Sequence, residues 1–185
     1  MRTFIAIELS EPIRESLAQA QTHLKYAGAD VKWVEKDNIH LTLKFLGEIS
    51  EEKAKEVAAA LDNIAKYTKS FEISLKDIGA FPTVDFPRVI WVGLDKGAKE
   101  STELAKKIDL ALAKLGFQEE SRPFAAHLTI GRVRSNLNRA ALAEKMASYQ
   151  LSAVSFQLIK SATLFKSTLT PQGAIYSILH EANLT

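Results

Sequence analysis

His40-Leu41-Thr42-Leu43 recurs as His127-Leu128-Thr129-Ile130, 87 positions further along the chain. Each phrase lies among apolar and β-branched residues with no Gly or Pro inside it, the composition of a β-strand. Side chains alternate between the faces of a strand. His40 and Thr42 therefore share one face and Leu41 and Leu43 the other; His127 and Thr129 divide from Leu128 and Ile130 in the same way. The apolar pairs can face a core while the His and Thr pairs face a cleft. One His-x-Thr alone is no more than a strand with a partly exposed histidine. Here two of the chain's four histidines carry it, and two such strands face to face would surround a small anion with two imidazoles and two hydroxyls.

The surroundings of the phrase repeat as well. Residues 4–9 read as a strand. Ser10 is an N-cap and Pro12 suits a first helical turn; Ile13, Leu17, Ala20 and Leu24 then form one helical face, ended by Gly28. Residues 31–34 are extended, and residues 39–46 are the first His strand, closed by Gly47. Ser50 caps a second helix with the stripe Ala54, Val57, Ala58, Leu61 and Ile64. Residues 71–78 alternate as a strand, and residues 79–87, with Pro82 and Pro87, read as a loop. The pattern restarts with a strand at 89–94. A helix striped by Leu104, Ile108, Ala111, Leu112 and Leu115 follows and stops at Gly116. The second His strand spans 126–133, a shorter helix 137–146, and an extended stretch 154–165 with a break near Ser161. Gly173 opens a last strand at 175–179.

Each half thus reads strand, helix, His-x-Thr strand, helix, strand. Phe4 precedes His40 by 36 residues and Val89 precedes His127 by 38. A duplicated unit of this size predicts an α+β fold of two pseudo-symmetric lobes. Each lobe is an antiparallel sheet with helices on its outer face, and the cleft between them carries both His-x-Thr motifs. The duplication falls at roughly 1–80 and 88–170, with the C-terminal strand completing the fold. Each half is small and little linker separates them, so residues 1–185 read as a single bilobal domain.

With 46% hydrophobic and 25% charged residues, the 185-residue chain has the composition of a globular protein. A net charge of +2 and a pI near 8.7 are too weakly basic to indicate bulk nucleic-acid binding. The absence of cysteine removes disulfides, thiolate metal sites and a Cys nucleophile. The first apolar run is short and is interrupted by Glu8, unlike a signal peptide, and no stretch approaches a membrane span. A cytoplasmic monomer without a membrane partner is the expectation.

Imidazole has an unperturbed pKa near working pH, so one neutral His can take a proton while a protonated one gives it. This suits in-line displacement at phosphorus, where one side needs an activated water and the other a protonated leaving oxygen. Thr42 and Thr129 are short hydroxyl donors for the non-bridging oxygens. Competing chemistries lack their parts. There is no His-Glu-x-x-His, no P-loop, no Gly-x-Ser-x-Gly and no Gly-x-Gly-x-x-Gly. No metal ligand set and no cofactor are expected.

These residues resemble the two-histidine (2H) phosphoesterase superfamily. Within it, Phe4-Ile5-Ala6-Ile7, His40 to Gly47, Gly79-Ala80-Phe81-Pro82, Arg88-Val89-Ile90-Trp91 and His127 to Val133 are similar to the RNA 2′,3′-cyclic phosphodiesterases, formerly called 2′-5′ RNA ligases. The resemblance covers essentially the whole chain. It implies metal-free hydrolysis of a terminal ribose 2′,3′-cyclic phosphate to a 2′-phosphomonoester, on RNA 3′ ends or nucleoside 2′,3′-cyclic phosphates. His40 would be the proton donor to O3′ and His127 the proton acceptor; ligation is the same chemistry reversed. Symmetry of the motifs alone does not choose between the two assignments. A related activity on a small cyclic nucleotide or ADP-ribose cyclic phosphate, or a silent nucleotide- or RNA-binding module, are the alternatives. Two intact His-x-Thr phrases argue against a silent module.

The resemblance also places Arg132 on the phosphate, although simple alternation puts it on the face opposite His127 and Thr129. A bulge or strand end at Gly131 would turn it inward. Lys44 shares parity with His40 and Thr42, and either lines the cleft or sits exposed at a strand end. Trp33, Phe81, Phe86 and Trp91 are candidates for stacking on a base, or simply core. His23 and His180 read as surface residues.

Overall fold

Apolar stripes and their stops set the helices. In the computed structural model, which describes residues 1–151 and 156–185, α1 (Glu11–Lys25) has Pro12 in its first turn and buries Ile13, Leu17, Ala20 and Leu24. Gly28 follows in the left-handed region at φ 64°. In α2 (Glu51–Ala65) the Ser50 hydroxyl accepts from the Lys53 backbone N–H at 3.1 Å, satisfying one of the orphan donors of the first turn. α3 (Ala98–Ala113) buries Leu104, Ile108 and Leu112. α4 (Arg139–Ser148) buries Leu142 and Met146. Among the described residues no helix is long and apolar enough to cross a membrane.

The strands are β1 (Arg2–Ile7), β2 (Val31–Trp33), β3 (Leu41–Glu48), β4 (Phe71–Pro82), β5 (Pro87–Leu94), β6 (His127–Val133), β7 (Phe156–Ile159), β8 (Ser161–Thr170) and β9 (Gly173–Asn183). Two differ notably from the reading of the sequence. The stretch 79–82, expected in a loop, continues β4, because Gly79, Ala80 and Phe81 pair with Trp91, Ile90 and Val89. β9 runs well past residue 179, because β8 gives it an antiparallel partner from Ser161 to Thr170. The expected break near Ser161 separates β7 from β8, and Val154, placed in the same extended stretch, lies outside the described residues.

All pairings are antiparallel and form two sheets, β3-β1-β8-β9 and β2-β6-β5-β4-β7. This is the two-lobed α+β architecture that the duplication predicts, but the halves of the sequence are not the lobes. β4 ends the first half and pairs with β5; β8 ends the second half and pairs with β1. Helices cross over too. α1 follows β1 yet packs on β6, β7 and α4, while α3 follows β5 yet packs on β3 and α2. One continuous apolar core, from Ile5, Ile7 and Leu41 to Ile90, Val92 and Leu128, runs through both lobes.

Both His strands contain an extra residue just past the Thr, and β3 has a second one at Leu46, between the partners of Phe4 and Thr3. Ala6 pairs with Thr42 but Ile5 pairs with Lys44, so Leu43 is inserted in β3. Trp91 pairs with Thr129 but Ile90 pairs with Gly131, so Ile130 is inserted in β6. A bulge reverses the alternation beyond it. Lys44 therefore turns to the helix side, where its side chain is only 2% exposed and its ammonium bonds Asp109 of α3 and the Gln118 carbonyl at 2.9 Å. Of the two readings offered for Lys44, neither holds: it is a buried ion-pair partner. Phe45 takes the cleft face instead, opposite Phe4. On β6 the matching position is Arg132, opposite Val89 on the face of Trp91 and Thr129.

The second bulge is anchored from α1. The carbonyl of Ile130 accepts from the buried Gln21 amide at 2.8 Å and from the Val34 N–H at 3.0 Å. Gly131 is needed beside it, since a Cβ there would lie 2.8 Å from Val31 and 3.0 Å from the Trp33 ring. Trp33 thus packs on Gly131 away from the cleft. Half-buried His23 and His180 are not simple surface residues either: His23 packs against Tyr149, and His180 pairs with Asp62 of α2 at 2.7 Å.

Removing one partner of a buried ion pair leaves an uncompensated charge, whereas replacing the charge by an apolar chain does not. Asp109→Ala leaves Lys44 the Gln118 carbonyl and the exposed Glu120 carboxylate at 3.7 Å, so it should lower the unfolding free energy by less than the roughly 3–5 kcal/mol of a fully broken buried pair. The double variant Lys44→Met/Asp109→Ala should recover most of the loss in urea titrations. A double variant no more stable than Asp109→Ala would contradict the pairing.

Candidate active site

His40 immediately precedes β3 and His127 opens β6. Each ring is held by the same local device. Nδ1 of His40 lies 2.7 Å from the carbonyl of Asn38, and Nδ1 of His127 lies 2.6 Å from the carbonyl of Ala125, two residues back in both cases. A carbonyl oxygen only accepts, so Nδ1 carries the hydrogen in both rings and Nε2 is left to act on a ligand. This tautomer control is the orienting partner that a general acid or base requires.

The two sites differ in what surrounds the rings. His40 stacks on Phe4 at 4.8 Å between centroids, and Tyr176 meets it edge-on at 5.3 Å. Phe4, Ala6 and Phe165, with Tyr176 against them, form a small apolar cluster on the cleft side of the first sheet, separate from the main core. His127 has Phe81 edge-on at 5.1 Å and Trp91 at 6.4 Å. Trp91 lies flat across Gly79, where a Cβ would come 2.3 Å from its ring. Of the four candidate stacking residues, Phe81 and Trp91 thus flank the site. Phe86 is exposed elsewhere, with the Arg139 guanidinium 4.2 Å over its ring.

Helices cover the opposite faces of the two sheets, and β3 adjoins β6, so the uncovered faces share one cleft. Thr42 and Thr129 are half-buried on those faces, and Arg132 is exposed there after the Ile130 bulge. Burial pushes the Tyr176 phenol up, and the charges of Arg2 and Arg132 pull it in the opposite direction. A cavity of about 330 Å³ beside His40 is lined by Phe4, Arg14, Asn38, Phe165 and Tyr176 among others. Tyr176 and Phe4 belong to the site; Tyr176 was not singled out in the sequence, and Phe4 only as part of the first strand. Only the pairing of β9 with β8 and of β8 with β1 brings Tyr176 over His40.

His40 is held below the usual imidazole range of 6.5. Burial is the main cause, and the Arg14 charge adds to it against the opposing Asn38 carbonyl bond. Among the described residues no group of three or more His, Asp or Glu side chains is placed to hold a metal ion.

Two oriented imidazoles, one just before a strand of the first sheet and one opening a strand of the second in a duplicated α+β fold, define a two-histidine phosphoesterase. The LigT-like phosphoesterase family matches this sequence twice, at residues 7–91 and 92–176, and the chain belongs to that family. An RNA 2′,3′-cyclic phosphodiesterase from Methanocaldococcus jannaschii is 41% identical over 98% of this chain and 99% of its own length. One from Methanothermobacter thermautotrophicus is 36% identical over 96% and 95%. Among solved structures, E. coli LigT complexed with 3′-AMP superposes with a TM-score of 0.80 at 27% identity, covering 100% of this chain and 98% of that one. A Thermus thermophilus protein reaches 0.82 at 26% identity, covering 100% and 98%.

The depressed His40 pKa has a consequence for stability. The folded state favours neutral His40, so its contribution is present above the unfolded value of 6.5 and is lost as pH falls from there through the lower folded value. An NMR titration of the ring protons should place the His40 midpoint below 6.5, and lowering the pH from 8 to 5 should cost wild type more thermal stability than His40→Asn. Equal losses would show that the ring is solvated in the folded protein.

Proposed function

We propose that this protein hydrolyses the terminal 2′,3′-cyclic phosphate of RNA to a 2′-phosphomonoester by paired general acid and base catalysis. The observation that carries the reading is the matched pair of imidazoles. Each donates Nδ1–H to a carbonyl two residues back and keeps Nε2 for the ligand. The names of the relatives and the 3′-AMP complex of LigT support a nucleotide substrate.

In this mechanism His127 Nε2 takes a proton from water, and the resulting hydroxide attacks phosphorus opposite O3′. The P–O3′ bond breaks as His40 Nε2–H gives its proton to O3′, leaving the phosphate on O2′. Thr42, Thr129 and Arg132 donate to the non-bridging oxygens, where negative charge grows. A depressed pKa makes His40 a stronger acid, and the bound phosphate anion favours its imidazolium form. The 2′-oxygen that forms the ring restricts the substrate to ribose.

Residues 1–185 act as one bilobal domain, duplicated at roughly 1–80 and 88–170; the exchanged strands and shared core favour this over two separable units. We place the enzyme in the cytoplasm as a monomer, since one chain supplies both histidines.

His40→Asn and His127→Asn should each lower turnover by about 10²–10⁴-fold, the usual worth of a general acid or base. Thr42→Ala and Thr129→Ala should lower it less. Phosphorus NMR of the product should show the 2′-monophosphate alone. A 3′-monophosphate would mean that the sugar lies the other way round, and near-wild-type turnover by either His variant would remove the acid–base assignment.

Activity should persist in excess EDTA. The kcat/KM profile should be bell-shaped with one limb below pH 6.5, where His40 titrates in the free protein. In kcat that limb should move to higher pH. Loss of activity in EDTA that a divalent ion restores would contradict the mechanism.

A further inference from the structure

Beyond the Ile130 bulge, β6 leads away from His127 into a stretch rich in arginine. Residues 121–143 contain Arg122, Arg132, Arg134 and Arg139 and no Asp or Glu, within a chain whose net charge is only +2. Arg88 joins them from β5, next to Val89, which pairs with Arg132. Arg88, Arg132 and Arg134, with Ser135 and Asn136, line a groove of about 410 Å³.

The charges in this groove are uncompensated. Among the described residues no arginine takes part in an ion pair, whereas Lys36, Lys44, Lys53, Lys76, Lys96 and Lys99 each pair with a carboxylate. Clustered guanidinium groups repel one another unless an anion lies between them, and their planar forks match phosphate oxygens bidentately. Residues i and i+2 of an extended strand lie about 7 Å apart, close to the step between successive phosphates of a polynucleotide. Arg134 continues the line of β6, its N–H bonded to the Asp30 carbonyl at 2.8 Å. Phe86, which precedes Pro87 at the groove wall, presents an exposed ring beside Arg139.

We infer that this groove holds the phosphodiester backbone of the RNA strand whose cyclic end lies between the histidines, so that the enzyme acts on RNA ends in preference to mononucleoside 2′,3′-cyclic phosphates. The inference rests on the reading of the cleft as a cyclic phosphodiesterase site. Arg132 serves the reacting phosphate, and Arg88 and Arg134 serve phosphates along the chain.

The test compares an RNA oligonucleotide ending in a 2′,3′-cyclic phosphate with a mononucleoside 2′,3′-cyclic phosphate, for wild type and for Arg88→Gln/Arg134→Gln. Wild type should show a higher kcat/KM on the oligonucleotide, falling steeply with salt. The double variant should lose about tenfold on the oligonucleotide, with a log–log salt slope shallower by roughly 1.4, or about 0.7 for each lost phosphate contact. Its kcat/KM on the mononucleoside substrate should stay at the wild-type level, since that substrate carries no further phosphate for the two arginines to meet. Fluorescence anisotropy of the labelled oligonucleotide reads the groove without turnover and should show the same loss. Equal losses on both substrates, or unchanged oligonucleotide binding, would overturn the groove assignment while leaving the hydrolytic reading intact. Failure of wild type to hydrolyse either substrate, with anisotropy still sensitive to the two arginines, would overturn the hydrolytic reading instead.

Discussion

One residue inserted immediately after the Thr of each His strand governs the rest of the site; β3 has a second irregularity further on, at Leu46. Leu43 and Ile130 occupy matching places, immediately after the Thr of each His-x-Thr phrase. Before the bulge, alternation keeps His and Thr on the cleft face and Leu41 and Leu128 in the core. After it the faces exchange, so that Lys44 enters the core and Phe45 and Arg132 enter the cleft. The same backbone device thus gives chemically different outcomes on the two strands. One side of the cleft gains an aromatic ring and the other a guanidinium. Each bulge is tied to the helix behind it, through Lys44 and Asp109 on α3 and through Gln21 on α1.

The anchoring helices belong to the exchange that joins the lobes. α3 leaves the second sheet and packs behind β3, while α1 leaves the first and packs behind β6. β4 and β8 cross in the same reciprocal way. The position of each His strand is therefore set by elements from both halves of the sequence. The proposed mechanism needs this, because in-line displacement would place acid and base on opposite sides of one phosphorus atom. Two loosely tethered lobes would leave that spacing to a linker, whereas a continuous core fixes it.

Charge is distributed with a similar division of labour. Several lysines pair with carboxylates, one of them buried at Lys44, whereas among the described residues no arginine does. Near the cleft the charges of Arg2 and Arg132 pull the Tyr176 phenol down against burial, and the charge of Arg14 adds to the lowering of His40. Phe4, Phe165 and Tyr176 line the cavity beside His40 together with Arg14 and the acidic Glu8 and Asp37, so the imidazole itself sits where electrostatic interactions are stronger than in bulk water.

The duplicated His-x-Thr phrase, the helix stripes and their stops determine the element order, the α+β class, the two-lobed duplication and the residues that head the site, because alternation and helical period are local properties read from neighbouring positions. Arg132 could be placed only conditionally and Lys44 was misplaced, since a bulge shows itself in the pairing of β3 with β1 and β6 with β5 and in no single strand. Gly131 hints at the irregularity, but the inserted residue is Ile130, and its carbonyl is secured by Gln21, more than a hundred positions away. Tyr176 and Phe4 meet over His40 for a comparable reason: β9 reaches the site only through β8, and β8 only by crossing to β1. Local sequence determined which residues alternate and where helices stop. Long-range strand pairing decided which face each residue finally took, because one residue of register reverses every side chain beyond it.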